Sequence, residues 1–266
     1  MSVDLDALFA VPERTARFGR EALDELDAIL GDYFALTPYE RVEEPDPESG
    51  GKFIKYVQRI PFPSNKVDRK GTEALLRLKD AFDQMAWASA RALDSKIKDT
   101  DTVYFPWADS AEGVKARLSG KSGKIPPELW PTYLRLKPHC TGQTPPTGDD
   151  ACRILANVAN RKHSISLSID VQKTQWSAPG PVVCKGVGDT IDLTPDIRRK
   201  SKKGEIVVAL VPTETEFQNG DNLTVHITFN KPNPLHRANA PLLLRAFSAK
   251  AKGCLKVIKK DVAKLI

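Results

Sequence analysis

The feature that most constrains the fold is a change of hydrophobic period inside one stretch, Ala151–Val171. In the first half of this stretch the apolar residues recur at helical spacing. In the second half, Ser164–Val171, apolar and polar residues alternate strictly, which is typical of a half-buried strand. The change falls at the polar cluster Asn160–His163. We therefore expect mostly helix before this cluster and mostly strand after it.

The rest of the chain follows the same division. Helices are predicted over Glu13–Leu36, Asp68–Asp94, Ala111–Leu118, Glu128–Leu136, Asp150–Asn160 and Ala240–Leu265. Strands are predicted over Lys52–Ile60, Ser164–Val171, Pro181–Val187, Thr190–Leu193, Glu205–Val211 and Asn222–Phe229. Their moderate alternation is typical of an antiparallel sheet with one covered face. We expect one α+β domain, 1–266, with a helical half, 1–163, and a sheet plus C-terminal helix, 164–266.

Composition excludes several classes of protein. The 266 residues contain no long apolar run and no N-terminal signal segment, so a cytoplasmic protein without a membrane span is expected. Four cysteines are too few for a disulfide scaffold at this length. His139, Cys140, Cys152 and His163 do not have the spacing of a zinc site, so neither a metal nor a cofactor is expected.

Charge is distributed unevenly along the chain. Residues 1–50 carry a net charge of −9 and the whole chain carries +6, so the residues after position 50 carry +15. Such asymmetry is compatible with an acidic partner, and equally with an internal contact between the two regions. The sequence leaves both interpretations open.

Two segments resemble a group of uncharacterised bacterial proteins. Gly71–Met85 is similar to a helix that reads roughly GE-x-HNLRSALDHL in that group, and Asn157–His163 is similar to a later N-x-DKHR segment. Gln84 stands where the group usually has histidine, which removes a titratable side chain from any shared site. The resemblance implies a common architecture, and it implies no particular activity.

Asp83 and His163 are the candidate catalytic residues. A carboxylate that orients an imidazole favours general-base chemistry, and Arg161 and Lys162 would bind an anionic group of the substrate. This arrangement predicts a divergent hydrolase or nuclease. The alternative is structural, because polar and basic residues at a helix C-terminus bind its last carbonyls and complement its dipole. We favour the structural interpretation.

Known catalytic motifs give the enzyme hypothesis little support. One residue separates Arg161 from His163, which is not the spacing of the Arg–His pair in helical prokaryotic RNases. The sequence also contains neither a GxxxxGK[ST] phosphate loop nor a GxSxG nucleophile elbow. The aromatic segment Tyr104–Trp107 is expected to cover the helical core, with a ligand pocket as the lesser alternative.

The most basic run suggests a binding function. It contains Arg198, Arg199, Lys200, Lys202 and Lys203. Such a run is suited to phosphates, and the lysine-rich face of the last helix would extend the same surface. A solvated loop is the alternative. We expect a binding protein whose basic C-terminal half contacts nucleic acid or an acidic protein, with the hydrolase as second hypothesis.

Overall fold

A computed structural model describes residues 4–120, 124–140, 148–160, 167–177, 182–184, 205–217, 222–231 and 235–266. The α-helices in these ranges are α1 Leu5–Ala35, α2 Ser64–Leu93, α3 Ala111–Ser119, α4 Trp130–Arg135, α5 Gly148–Asn160 and α6 Ala240–Val262. The strands are β1 Tyr39–Pro45, β2 Gly51–Gln58, β3 Ser168–Ser177, β4 Val182–Cys184, β5 Glu205–Pro212, β6 Thr215–Phe217 and β7 Asn222–Lys231. The α+β class is therefore confirmed.

Backbone contacts group the chain into two compact units, each built from separate stretches of sequence. Unit 1 comprises residues 1–29, 64–170 and 227–266, and unit 2 comprises residues 30–63 and 171–226. The part of the chain predicted as the helical half, 1–163, also contains β1 and β2. A single domain for 1–266 stays a prediction.

The core of unit 1 is an aromatic cluster between α2 and α6. The rings of Phe82 and Phe247 lie 5.1 Å apart, and Phe82 also meets Phe105 and Trp107 at 4.9 Å. Edge-to-face and tilted pairs of this kind add to the stabilisation from burial alone. The predicted covering of the helical core by the aromatic segment is thus confirmed for Phe105 and Trp107, whereas Tyr104 is exposed.

Helix α1 begins eight residues before the predicted start at Glu13. The Asp4 carboxylate accepts a hydrogen bond from the Ala7 amide at 3.0 Å, which satisfies a free N–H of the first turn. Pro12 lies inside the helix, although a proline in this position has no N–H for the helical ladder. The sequence pattern therefore places the start of the helix too late, after this proline.

The three-stranded sheet of unit 2 has the strand order β1-β2-β5, and both of its pairings are antiparallel; β4 and β6 form a separate two-stranded antiparallel sheet. In the central strand Ile54 pairs with Ala209, and both side chains are fully buried. Strand β1 was not predicted, because Glu43–Gly51 reads as a loop. Its acidic side chains are held by the neighbouring strand, as in the 2.8 Å ion pair between Glu43 and Lys52.

The remaining predicted elements agree with the structure in part. The predicted helix Glu128–Leu136 is a short 3-10 turn, Pro127–Leu129, followed by α4. Strand β6 was not predicted, and the predicted strand Thr190–Leu193 lies outside the described residues. Helix α6 packs against α2, α4 and α5, so the last helix returns to the helical layer. Among the described helices, none combines the length and apolar character needed to span a membrane.

Candidate functional site

Asp83 is the predicted site residue that the structure describes. The other eight lie outside the described residues: Arg161, Lys162, His163, Arg198, Arg199, Lys200, Lys202 and Lys203. Asn160, which precedes the cluster, is the exposed last residue of α5. A meeting of Asp83 with His163, and phosphate binding by the basic run, therefore stay predictions.

Asp83 is engaged in structural contacts through both carboxylate oxygens. One oxygen pairs with the Lys79 ammonium one turn earlier on α2. The other accepts a hydrogen bond from the Phe105 amide at 3.0 Å and so fastens the aromatic segment to α2. Burial raises the pKa of Asp83, and the Lys79 ammonium opposes that rise. These contacts account for the residue without any catalytic role.

An open groove lies between α1 and α6 and has a volume of about 1060 Å³. We call it the helix groove. Its cationic side chains are Arg17, Arg20, Arg245, Lys252, Lys256, Lys259 and Lys260, and its acidic ones are Asp4, Asp6 and Glu13. The lining thus carries a surplus of four positive charges.

Ion pairs join α1 to α6 towards both ends of the helix groove, and their order shows that the two helices run in opposite directions. At one end Arg245 binds the carboxylates of Asp24 and Asp27. At the other end Lys259 lies 2.8 Å from Glu13 and 2.9 Å from Asp6. Glu13 and Asp6 raise the pKa of Lys259, so the ammonium stays charged at neutral pH. The groove is therefore open along its length and clamped by charge at its ends.

The lining also contains cations that have no acidic partner in the described part of the chain. They are Arg20 on α1 and three lysines of α6, namely Lys252, Lys256 and Lys260, which we call the lysine row. A spacing of four residues places successive lysines of the row ~6 Å apart along one helix face. All four side chains are exposed, so they can reach an anion without losing an internal contact.

The floor between the charged rims is apolar and made partly of small residues. Ala16 on α1, Ala249 on α6 and Ala263, which directly follows α6, all line the groove, and the lining residue Leu255 is buried. Alanine leaves room where a larger side chain would fill the gap between the helices. The aliphatic stems of the lysines and arginines extend this apolar surface. The groove can therefore hold an anionic chain between its charged rims, above an apolar floor.

The sequence indicates the α6 side of the helix groove and does not indicate the α1 side. The lysine-rich face of the last helix is visible in the sequence as an extension of the basic run. The contribution of α1 is not, because Arg17 and Arg20 lie in the most acidic region of the chain. Helical periodicity places both arginines near the alanine at position 16, yet it cannot tell which helix that face meets.

Comparison with known proteins assigns no family. No protein-family model, curated protein or solved structure matches the chain. The resemblance of Gly71–Met85 and Asn157–His163 to the bacterial group stays an expectation. Within the described residues, no three histidine, cysteine or acidic side chains gather in a way that could hold a metal ion.

Proposed function

We propose that this chain is a non-enzymatic binding protein that holds the phosphate backbone of a nucleic acid along the helix groove. The observation that carries the proposal is the row of exposed, unpaired lysines on α6 with Arg20 opposite them. A cation that already contacts a carboxylate gains little further electrostatic stabilisation from a phosphate. Lys252, Lys256 and Lys260 have no such contact in the described residues, so their charge is available to a partner.

The chemistry of the groove favours recognition without sequence selectivity. Among the described residues that line it, none is aromatic, so base stacking has no platform there. Lysine acts on phosphate as a point charge on a flexible stem, which positions a backbone and reads no base. Binding of this kind releases counterions and weakens steeply as salt rises. We therefore expect affinity to depend on charge and length of the nucleic acid.

The test compares two variants that lose the same charge. The first replaces Lys252, Lys256 and Lys260 by glutamine. The matched control replaces three exposed cations of other helices, Lys66, Lys115 and Arg117, by glutamine. Fluorescence anisotropy with labelled single-stranded and duplex oligonucleotides, from low to moderate salt, gives the affinity. We expect the lysine-row variant to reduce the salt slope by about 2 for single strands and about 3 for duplex.

Several results would overturn the proposal. Equal losses in the lysine-row variant and in the control would mean that only net charge matters. Absence of binding to either oligonucleotide at low salt would exclude nucleic acid as partner. Polyglutamate serves as the probe for an acidic protein. Binding of polyglutamate without binding of either oligonucleotide would mean that the groove binds an acidic protein instead of nucleic acid.

The basic run forms a separate arm of the experiment. A variant with Arg198, Arg199, Lys200, Lys202 and Lys203 neutralised tests whether the run extends the binding surface, as the sequence suggests. A loss that adds to that of the lysine-row variant supports one continuous surface. We also propose the cytoplasm as the compartment, where the free thiols of the described cysteines stay reduced.

The hydrolase with Asp83 and His163 is the weaker proposal, because both oxygens of Asp83 already have partners. Its test is the His163→Ala variant. Loss of turnover with an intact fold would support catalysis, whereas loss of the fold would support helix capping.

A further inference from the structure

A second, smaller cavity of unit 1 lies between the first turns of α1 and the middle of α2. Its volume is about 350 Å³. Six of its lining residues carry the argument: Leu8, Val11, Pro12, Gln84, Trp87 and Asp99. We call it the Trp87 pocket. Its size is at the lower end of the range for small-molecule sites, so one small molecule or one side chain fits.

The pocket contains an acceptor that has no donor. The Gln84 Oε1 atom is buried and makes no hydrogen bond within the described residues. Buried polar atoms are almost always paired in folded proteins, and an unpaired one is costly. A ligand N–H that reaches this atom, after a rotation of the Gln84 side chain exposes it to the pocket, would remove that cost.

Two further features of the lining affect its hydrogen bonding and its charge. Pro12 lies inside α1 and has no N–H, so it cannot donate to the Leu8 carbonyl four residues earlier. The Asp99 carboxylate is exposed and makes no ion pair in the described part of the chain. An amide oxygen, a carbonyl and a carboxylate all accept hydrogen bonds, and the carboxylate adds negative charge.

The indole of Trp87 is the remaining polar or aromatic feature of the pocket lining. Gln84 and Trp87 are three residues apart on α2 and so lie on the same helix face. The Trp87 indole N–H already donates to the Lys98 carbonyl at 3.3 Å, so the ring contributes its π-surface to the pocket and no free donor. Tryptophan is the aromatic side chain that attracts cations most strongly.

We propose that the Trp87 pocket binds a small organic ammonium ion. The ammonium lies against Trp87 with its charge facing Asp99, and one of its N–H groups donates to Gln84 Oε1. The apolar body of the ligand packs on Leu8, Val11 and Pro12. This site is separate from the helix groove, whose surplus of cations would repel the same ligand.

The experiment uses the full chain and probes of matched shape. Phenethylamine is the cation, phenethyl alcohol is its neutral counterpart and 3-phenylpropionate is the anion. The indole N–H signal of Trp87 in ¹H–¹⁵N NMR spectra reports binding at that ring, and the other signals report the fold. We expect phenethylamine to bind at least about tenfold more tightly than the alcohol, since removal of the charge removes both electrostatic contacts.

Two variants assign the contacts. Asp99→Asn is expected to weaken phenethylamine binding about tenfold while leaving the alcohol unaffected. Gln84→Leu removes the unpaired acceptor and is expected to weaken the amine about fivefold with an unchanged fold. Asp32→Asn, an exposed carboxylate elsewhere on α1, is the matched control and should change neither affinity.

The alternatives are distinguishable. Nα-acetyl-lysine methylamide represents a lysine side chain of a partner protein, and binding of this probe in preference to phenethylamine would identify a protein as the source of the ammonium. Equal binding of amine and alcohol, tighter binding of the anion, no effect of Asp99→Asn, or no shift of the Trp87 signal with any probe would overturn the proposal.

Discussion

Lys79 and Asp83 lie one turn apart on α2, and both are largely withdrawn from water, with side-chain exposures of 6% and 22%. A buried cation is tolerated only when it is paired. The exposed ring of Tyr104 lies 6.0 Å from the Lys79 ammonium and covers it from outside. The carboxylate that suggested catalysis in the sequence is thus the counter-ion of a buried lysine.

We expect Asp83→Asn to destabilise the protein by about 3 kcal/mol, because it leaves the Lys79 charge buried and unpaired. The free energy of unfolding from urea titration measures the loss. Asp80→Asn, an exposed carboxylate on the same helix, is the control and should change stability by less than about 0.5 kcal/mol. A similar small effect for both variants would contradict the structural role of Asp83.

Gly19 lies where α1 comes close to Leu78 of α2. A Cβ at this position would lie 2.8 Å from Leu78 Cγ and 3.3 Å from the Leu78 amide nitrogen. We expect Gly19→Ala to destabilise unit 1 by about 1–3 kcal/mol through this overlap. Gly31→Ala in the same helix has nothing within 4 Å and should stabilise by about 0.5–1 kcal/mol. Thermal unfolding compares the two, and a gain in both would refute the close contact.

Prediction from the sequence is weakest for the contacts and burial of single side chains, because the sequence shows only the type of each residue. The sequence indicates Asp83 as a candidate catalytic residue. It does not distinguish the partner Lys79, because a lysine at helical spacing from an aspartate usually belongs to a solvated surface pair. Gln84 was noted through a resemblance, whereas its unpaired oxygen depends on the position of α1. Burial of polar atoms is a tertiary property, and no local pattern contains it.

At the scale of elements, Asp261 joins the end of α6 to α4. Its carboxylate accepts hydrogen bonds from Lys264 at 3.0 Å and from Thr132 at 2.9 Å, and it also pairs with Arg135. Lys264, together with Thr132 and Arg135, lowers the pKa of Asp261 from 3.8 to about 2. The two helices are therefore held together by a carboxylate that stays ionised in acid.

This pKa predicts a specific acid dependence. Between pH 4 and 2 the unfolded chain binds the proton of Asp261 more readily than the folded chain, so its contribution is present above that window and is lost as pH falls through it. We expect Asp261→Asn to flatten the fall of unfolding free energy in this window relative to the wild type. Parallel pH profiles of the two proteins would contradict it.

Helices were predictable because each has a long apolar stripe, and α2, α5 and α6 lie close to their predicted bounds. Strand β1 was not predictable, because its alternation is carried by charged residues, and the pairing of Glu43 and Glu44 with the lysines of β2 is a tertiary contact. The start of α1 at Leu5, before Pro12, was not predicted either. In both places a tertiary partner overrides the local preference.

At the scale of the whole molecule, the acidic beginning of the chain is largely paired internally. Asp24 and Asp27 bind Arg245, and Glu25 binds Lys70 at 2.6 Å. Of the two interpretations of the charge asymmetry, the structure thus supports the internal contact for these carboxylates. What remains available to a partner is the basic excess, which the lysine row presents.

The two units predict separate local stabilities. Because contacts concentrate within each unit, we expect Gly19→Ala to reduce hydrogen-exchange protection of unit 1 amides, such as Leu78 and Phe82, by about tenfold. Amides of the central sheet strands, such as Ile54 and Ala209, should keep their protection. A uniform loss in both sets would show one cooperative unit.

The ion pair of Glu13 with Lys259 also has a consequence for synthesis. The two residues are 246 positions apart, so α1 leaves the ribosome long before α6 exists. At translation rates of about 5–20 residues per second, α1 waits about 10–50 s for this partner. Throughout that time Glu13, Asp24 and Asp27 of α1 lack the cations of α6 that later bind them, so these carboxylates stay solvated until the last helix is made.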